Sequence, residues 1–267
     1  MPSGVRAGHP TCWQVFGTGQ RPALAVHCML GHCGAWTRLG AALADRLTLT
    51  AFDLPGHGQS GDYDPACGIE YQRLATQIAA SFIDRPVDLI GHSFGAGVAL
   101  RLAVAAPEAV RSLTLIEPVL FAAVRHTPEG QDEAAAHARF DAEVARDPEA
   151  AARAFLDRWG TGTPWEALAP AQRAALVARI GLVDLAGHAN VNDPGTILRD
   201  GGLEAIDAPV MMILGADSPP VIHRVAEALA DRLPDVGRAT VPGAGHMLPL
   251  THVAQVADLI GLNLDRS

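Results

Sequence analysis

A serine stands between two glycines in Gly91-His92-Ser93-Phe94-Gly95, and this G-x-S-x-G run follows the apolar stretch Val87–Ile90 and leads into the helix-forming segment Phe94–Ala105. A strand that passes through such a sequence into a helix must turn very tightly. Glycines two positions either side of the serine let neighbouring backbone approach where a Cβ would clash. The turn exposes the hydroxyl at the carboxyl end of a sheet, with a helix N-terminus behind it that favours developing negative charge. This is where a nucleophile is wanted. A serine hydroxyl is a weak one until a base takes its proton, and His246 in Pro242-Gly243-Ala244-Gly245-His246-Met247 is the candidate base. It follows the last predicted strand and precedes the last predicted helix, on the same sheet edge as Ser93. A surface histidine would be the plain alternative.

The elements that must position these two residues are legible around them. Fully apolar runs at Ala23–His27, Leu47–Asp53, Val87–Gly91 and Ser112–Ile116 alternate with helical patterns at Trp36–Leu43, Tyr71–Ile83 and Phe94–Ala105. Strands without a polar alternation, separated by helices, predict a parallel sheet covered on both faces. The alternation returns with strand Val210–Leu214, helix Ile222–Leu233, strand Arg238–Val241 and helix Val253–Leu264. Between about Pro118 and Ile206 there is no convincing strand, only helix formers in Glu133–Val144, Pro148–Arg158 and Pro170–Leu185, broken at Gly160-Thr161-Gly162 and Asn192-Asp193-Pro194-Gly195. The expected division is an α/β core over 1–117 and 207–267 with an all-helical lid inserted at 118–206. Gly17-Thr18-Gly19 lacks the third glycine of a dinucleotide fingerprint and reads as a hairpin turn.

Composition narrows the function classes. The chain has 267 residues, with 20 basic against 29 acidic side chains and 49% hydrophobic residues. That suits a folded domain with a full core and disfavours a nucleic-acid binder, which needs a basic face. All the basic residues are arginine. The absence of lysine excludes Schiff-base chemistry and phosphate-binding lysines. No uninterrupted apolar run near the N-terminus suggests a signal peptide, and no stretch reads as a membrane span. The four cysteines (Cys12, Cys28, Cys33, Cys67) lack paired spacing and read as free thiols, so the expected setting is cytoplasmic. Cys28, His32 and Cys33 lie close in sequence but lack the second cluster that a metal site needs, so neither a metal nor another cofactor is expected. The expected partner is a small-molecule substrate.

Three further motifs carry a resemblance. Val26-His27-Cys28-Met29-Leu30-Gly31 followed by Trp36 is similar to an HG-containing oxyanion loop, Asp53-Leu54-Pro55-Gly56-His57-Gly58-Gln59-Ser60 matches a D-x-P-G-x-G-x-S loop, and a G-x-G-H segment ends at His246. Together with the serine turn, they make the chain resemble the α/β-hydrolase family outside the helical insertion. The resemblance implies an oxyanion hole from the backbone N–H groups of Phe94 and Met29, with Cys28 standing where the family usually has glycine. His27 and His57 are expected to be scaffold residues.

The resemblance also implies an acid to orient His246, and here two positions compete. The usual place follows the seventh strand, where Leu214-Gly215-Ala216-Asp217-Ser218 offers Asp217 one residue early. The alternative place follows the strand ending at Ile116, where Glu117 stands just before Pro118. Glu117 is favoured, since a charge directly after a buried strand otherwise lacks a purpose. Trp36, Phe121, Phe155, Trp159 and Met247 are candidates for a substrate pocket. Phe140 and Trp165 could join them, and lid packing is the alternative for each. A serine nucleophile disfavours the aspartate-dependent dehalogenase and epoxide hydrolase branches. The expected activity is hydrolysis of a small ester through an acyl-enzyme, without a cofactor. Carbon–carbon bond hydrolysis, a perhydrolase reaction and non-catalytic ligand reception are the alternatives.

Overall fold

Six strands pair side by side as the parallel part of one sheet. The computed structural model describes residues 1–267. Its strands are β1 (Ser3–Arg6), β2 (His9–Phe16), β3 (Arg21–Val26), β4 (Leu47–Phe52), β5 (Val87–His92), β6 (Val110–Ile116), β7 (Val210–Gly215) and β8 (Val236–Val241), in the order β1-β2-β4-β3-β5-β6-β7-β8. From β3 to β8 every neighbour is parallel, while β1 and β2 are antiparallel additions at one edge. The chain therefore has an α/β architecture with a mostly parallel sheet flanked by helices.

Side-chain alternation along the strands divides the core in two. Leu24, Val26, Leu89, Leu113, Leu115, Met212 and Leu214 face one side, packed with α2 (Tyr71–Ala80), α3 (Phe94–Ala105) and α7 (Pro220–Ala230). Ala23, Ala25, Ile90, Ile116, Met211 and Ile213 face the other, under α1 (Thr37–Ala42) and α9 (Val253–Leu264). A period of two with both faces apolar is what a strand covered on both sides requires. The boundaries of α3 and α9 coincide with those read from the sequence.

Two expectations need correction. The Gly17–Gly19 segment is not a hairpin turn, because β2 pairs with β4 and not with β3. Its glycines instead let the β2–β3 connection pass over the Ala44–Leu47 backbone, where a Cβ on either would collide with main-chain atoms. The true hairpin joins β1 to β2 through Ala7 and Gly8, both at positive φ (48° and 80°), as a two-residue turn matching strand twist requires.

Between β6 and β7 lie α4 (Pro128–Arg146), α5 (Pro148–Trp159) and α6 (Pro170–Asn192). The last is one turn or more longer than its expected end at Leu185. Gly187 does not stop it, because the missing side chain admits the His137 ring of α4. The helix ends where Asp193 takes a left-handed conformation and its carboxylate accepts the N–H groups of Ile197 and Leu198. By length and composition α6 is apolar enough to cross a membrane. Here it packs against α4 and α5 and places Arg179 on the Gly56 carbonyl at 3.0 Å. A short α8 (Leu248–Thr251) precedes α9.

Candidate active site

Ser93 occupies the sharp turn between β5 and α3 with φ 58° and ψ −120°, a backbone region costing a non-glycine residue about 1–3 kcal/mol. The flanking glycines explain how the turn closes. A Cβ on Gly91 would strike the Gly95 carbonyl, and one on Gly95 would strike the backbone of Val26 and His27. The Ser93 N–H donates to the Ile116 carbonyl at 2.9 Å, tying the turn to the end of β6.

Ser93 Oγ lies 2.9 Å from His246 Nε2, and His246 Nδ1 lies 2.9 Å from Glu117 Oε2. The carboxylate leaves one proton position on the ring: Nδ1–H donates to Glu117, so Nε2 is left to accept from the serine. Glu117 is itself held firmly. Its other oxygen accepts the Gly215 N–H at 2.7 Å, its own N–H donates to the Ile213 carbonyl, and its φ is 51°. The side chain is fully buried, so these bonds replace the hydration it has lost. Asp217 is not part of this cluster. Its N–H donates to the Ala244 carbonyl, while its side chain is exposed and makes no hydrogen bond. The end of β7 contributes a backbone N–H from Gly215, and the loop after it contributes no carboxylate.

The loops around this chain are stitched by neutral histidines and one aspartate. His27 Nε2 accepts the Leu54 N–H and its Nδ1 donates to the Cys28 carbonyl; His57 Nε2 accepts the Leu30 N–H and its Nδ1 donates to the Pro55 carbonyl. Burial lowers His27 to about 3 and His57 to about 4, so both stay uncharged. Asp53 accepts the Cys33 and Gln59 N–H groups, binding the oxyanion-like loop to the segment after β4. Both rings thus tie the loops around the site together through backbone hydrogen bonds. His92 carries no sequence signal of its place in this network. Its Nε2–H donates to the His246 carbonyl at 2.9 Å, and burial lowers it to about 3. Its place between Gly91 and Ser93 was visible, but spacing alone does not say where a ring points.

The N–H groups of Met29 and Phe94 make no hydrogen bond within the protein. Both residues line, with Ser93 and His246, a cavity of about 400 Å³. Phe121, Phe155 and Trp159 also line it, as does Phe140. Trp159 packs edge-on against His246 at 4.8 Å between centroids. Trp36 and Met247 do not reach this cavity. They line a second one of about 370 Å³, which shares only Met29, Phe155 and Trp159 with the first. Trp165 is buried in a small cluster with Ala151, Ala152 and Ile180 beneath the helices.

Comparison with known proteins follows this geometry. Residues 23–259 match the model of the alpha/beta hydrolase family. The chain belongs to that family. A pimeloyl-[acyl-carrier protein] methyl ester esterase of Methylococcus capsulatus is 31% identical over 257 residues, spanning 91% of this chain and 94% of that one. The acetyltransferase component of the acetoin cleaving system of Cupriavidus necator is 37% identical over 108 residues, covering 39% of this chain and only 28% of the longer protein. An esterase from Thermogutta terrifontis superposes with a TM-score of 0.76 at 21% identity over 99% of this chain and 98% of its own, which supports the fold alone.

Proposed function

We propose that this hydrolase is a serine esterase in which Ser93, His246 and Glu117 act as nucleophile, base and orienting acid. The observation that carries the reading is the unbroken chain from Ser93 Oγ through the imidazole to Glu117, with 2.9 Å at both links. Similarity along nearly the whole chain to a methyl ester esterase supports an ester as the substrate class.

In this mechanism Ser93 Oγ bonds to the acyl carbon as His246 Nε2 takes its proton. The carbonyl oxygen, now anionic, sits between the free N–H groups of Met29 and Phe94, each such donor being worth about 3 kcal/mol. Collapse breaks the bond to the alcohol, which leaves with the proton from His246. Water then attacks the acyl-enzyme, His246 takes a proton from it, and collapse returns that proton to Ser93 and releases the acid. Glu117 holds the tautomer and stabilises the imidazolium. Asp217, exposed and away from the ring, has no part. The helices of residues 118–206 serve as a lid whose Phe121, Phe155 and Trp159 meet the substrate. Trp36 and Met247 contact only those substrate groups that enter the second cavity. Four free thiols support a reducing, cytoplasmic setting.

An organophosphonate ester tests the central assignment. It should label one serine, mapped to Ser93, and labelling should vanish in Ser93→Ala along with turnover of a short aryl ester. Adducts at another serine, or none on folded protein, would overturn the mechanism.

A further inference from the structure

We infer that Asn190 is a specificity-determining hydrogen-bond donor in the catalytic cavity, selecting acyl chains that carry a second carbonyl oxygen a few atoms beyond the scissile one. The inference rests on the esterase reading above for the position of the scissile carbonyl. Two buried polar atoms without partners lead to it: Gln72 Nε2 and Asn190 Oδ1. They come from different elements, α2 and α6, and approach the same glycine on α3. A methyl group on Gly97 would meet Gln72 Nε2 at 3.1 Å and Asn190 Oδ1 at 4.0 Å.

The orientation of the Gln72 amide follows from chemistry. Arg101 carries only donors, and its Nη1 reaches Glu70 Oε2 at 2.7 Å and Gln72 Oε1 at 3.2 Å. Gln72 must therefore give its oxygen to the arginine and turn its NH2 toward Gly97. Asn190 Oδ1 is sealed from solvent as well and has no hydrogen-bond partner. Asn190 lines the catalytic cavity, and its Nδ2 makes no hydrogen bond while not being among the sealed atoms. The NH2 is thus left to the cavity.

The location sets what it can read. Gly97 lies one helical turn beyond Ser93, about 6 Å along the axis of α3. Val119, Phe121, Val183 and Ala186 line the same cavity, as do the charged Glu133, Arg139, Glu143 and Arg158. An amide donor with no protein partner favours a substrate with an acceptor there over a hydrocarbon, because otherwise the amide is desolvated without a partner. A ketone or other carbonyl oxygen fits. A hydroxyl fits only by accepting.

The test compares methyl valerate, methyl levulinate and methyl γ-hydroxyvalerate, reading ratios of kcat/KM within each protein. The native enzyme should prefer levulinate to valerate by about tenfold, the equivalent of one hydrogen bond of about 1.4 kcal/mol. Asn190→Leu should bring that ratio to about one. Methyl γ-hydroxyvalerate, whose hydroxyl can accept from the same amide, should fall between the other two esters in the native enzyme and lose its advantage over valerate in Asn190→Leu. The same esters titrated into Ser93→Ala, followed by tryptophan fluorescence, read the preference without turnover. Preference in binding but no hydrolysis by the native enzyme would count against the esterase reading and keep the Asn190 subsite. Hydrolysis with equal ratios in native and Asn190→Leu proteins would overturn the subsite.

Discussion

The carboxyl edge of the sheet and the helices that cover it are built on different rules. At the edge, polar atoms are closed in pairs: Glu117 uses both oxygens, His246 both ring nitrogens, and His27, His57 and Asp53 each bridge two segments of backbone. The cover contributes apolar wall, two cavities parted by Phe155 and Trp159, and an amide with an unpaired oxygen. Groups that must hold one geometry are bonded to exhaustion, whereas the surface that must accept different molecules is shaped and left open. Changes at the edge should therefore act on rate or on stability, and changes in the cover on selectivity.

The largest effect should come from the two carboxylates at neighbouring strand ends. Glu117→Gln should lower kcat by about 10³–10⁴-fold, since it loses the charge that fixes the tautomer and stabilises the imidazolium. Asp217→Asn should change activity and stability little, as expected of an exposed side chain without partners. Steady-state kinetics of both variants, with circular dichroism to verify folding, decide the matter. A silent Glu117→Gln beside an inactive Asp217→Asn would break the comparison.

The next effect is on stability in acid. His27, His57 and His92 titrate at about 3, 4 and 3 in the folded chain, against 6.5 for an exposed imidazole. Their folded values are depressed, so between pH 6.5 and 4 the unfolded chain binds more protons and stability must fall as pH falls. Near pH 5 the three together imply uptake of about three protons on unfolding, about 4 kcal/mol per pH unit. Above pH 7 this contribution is flat. Denaturant midpoints at pH 7, 6 and 5 should drop steeply in the lower interval. A constant midpoint would show that these rings are protonated in the fold.

The smallest effect should be the most selective. Phe155→Ala removes part of the wall between the two cavities, so longer acyl chains should gain relative to acetate, about fourfold per methylene newly accommodated. A graded series of p-nitrophenyl esters measures this. An equal loss on acetate and longer esters would make Phe155 a packing residue and blur the division between edge and cover.

These rules also explain what could be read in the sequence. Periodicity exposed β5, β6 and β7 because each is apolar on both faces, and β3 and β4 because each keeps one apolar face buried, but β1 at the sheet edge (Ser3–Arg6 is almost wholly solvent-facing) carries little signal. Ser93 and His246 were legible because a tight turn and a glycine-rich loop leave marks in composition. Glu117 was preferred for a physical reason, a charge after a buried strand, whereas the bond from Gly215 that holds it has no signature in sequence. Trp36 and Met247 were placed by proximity to motifs, and the fold turns both away from the serine. His92 and Asn190 escaped notice since only the packing of distant elements gives their polar ends anything to face.

Ser93 and Glu117 share a rigid mount. His92 pairs in register with Ile116 on adjacent strands, so Ser93 and Glu117 each follow one member of the same rung, and the Ser93 N–H closes on the Ile116 carbonyl. His246 arrives on the segment that begins with β7, and it is fastened back to this mount by the His92 ring on its carbonyl and by Glu117 on its Nδ1. Heat, a bound ligand or a distant substitution that tunes the rate by geometry has those two fastenings to act upon, and the separation it changes is the one between Ser93 and His246.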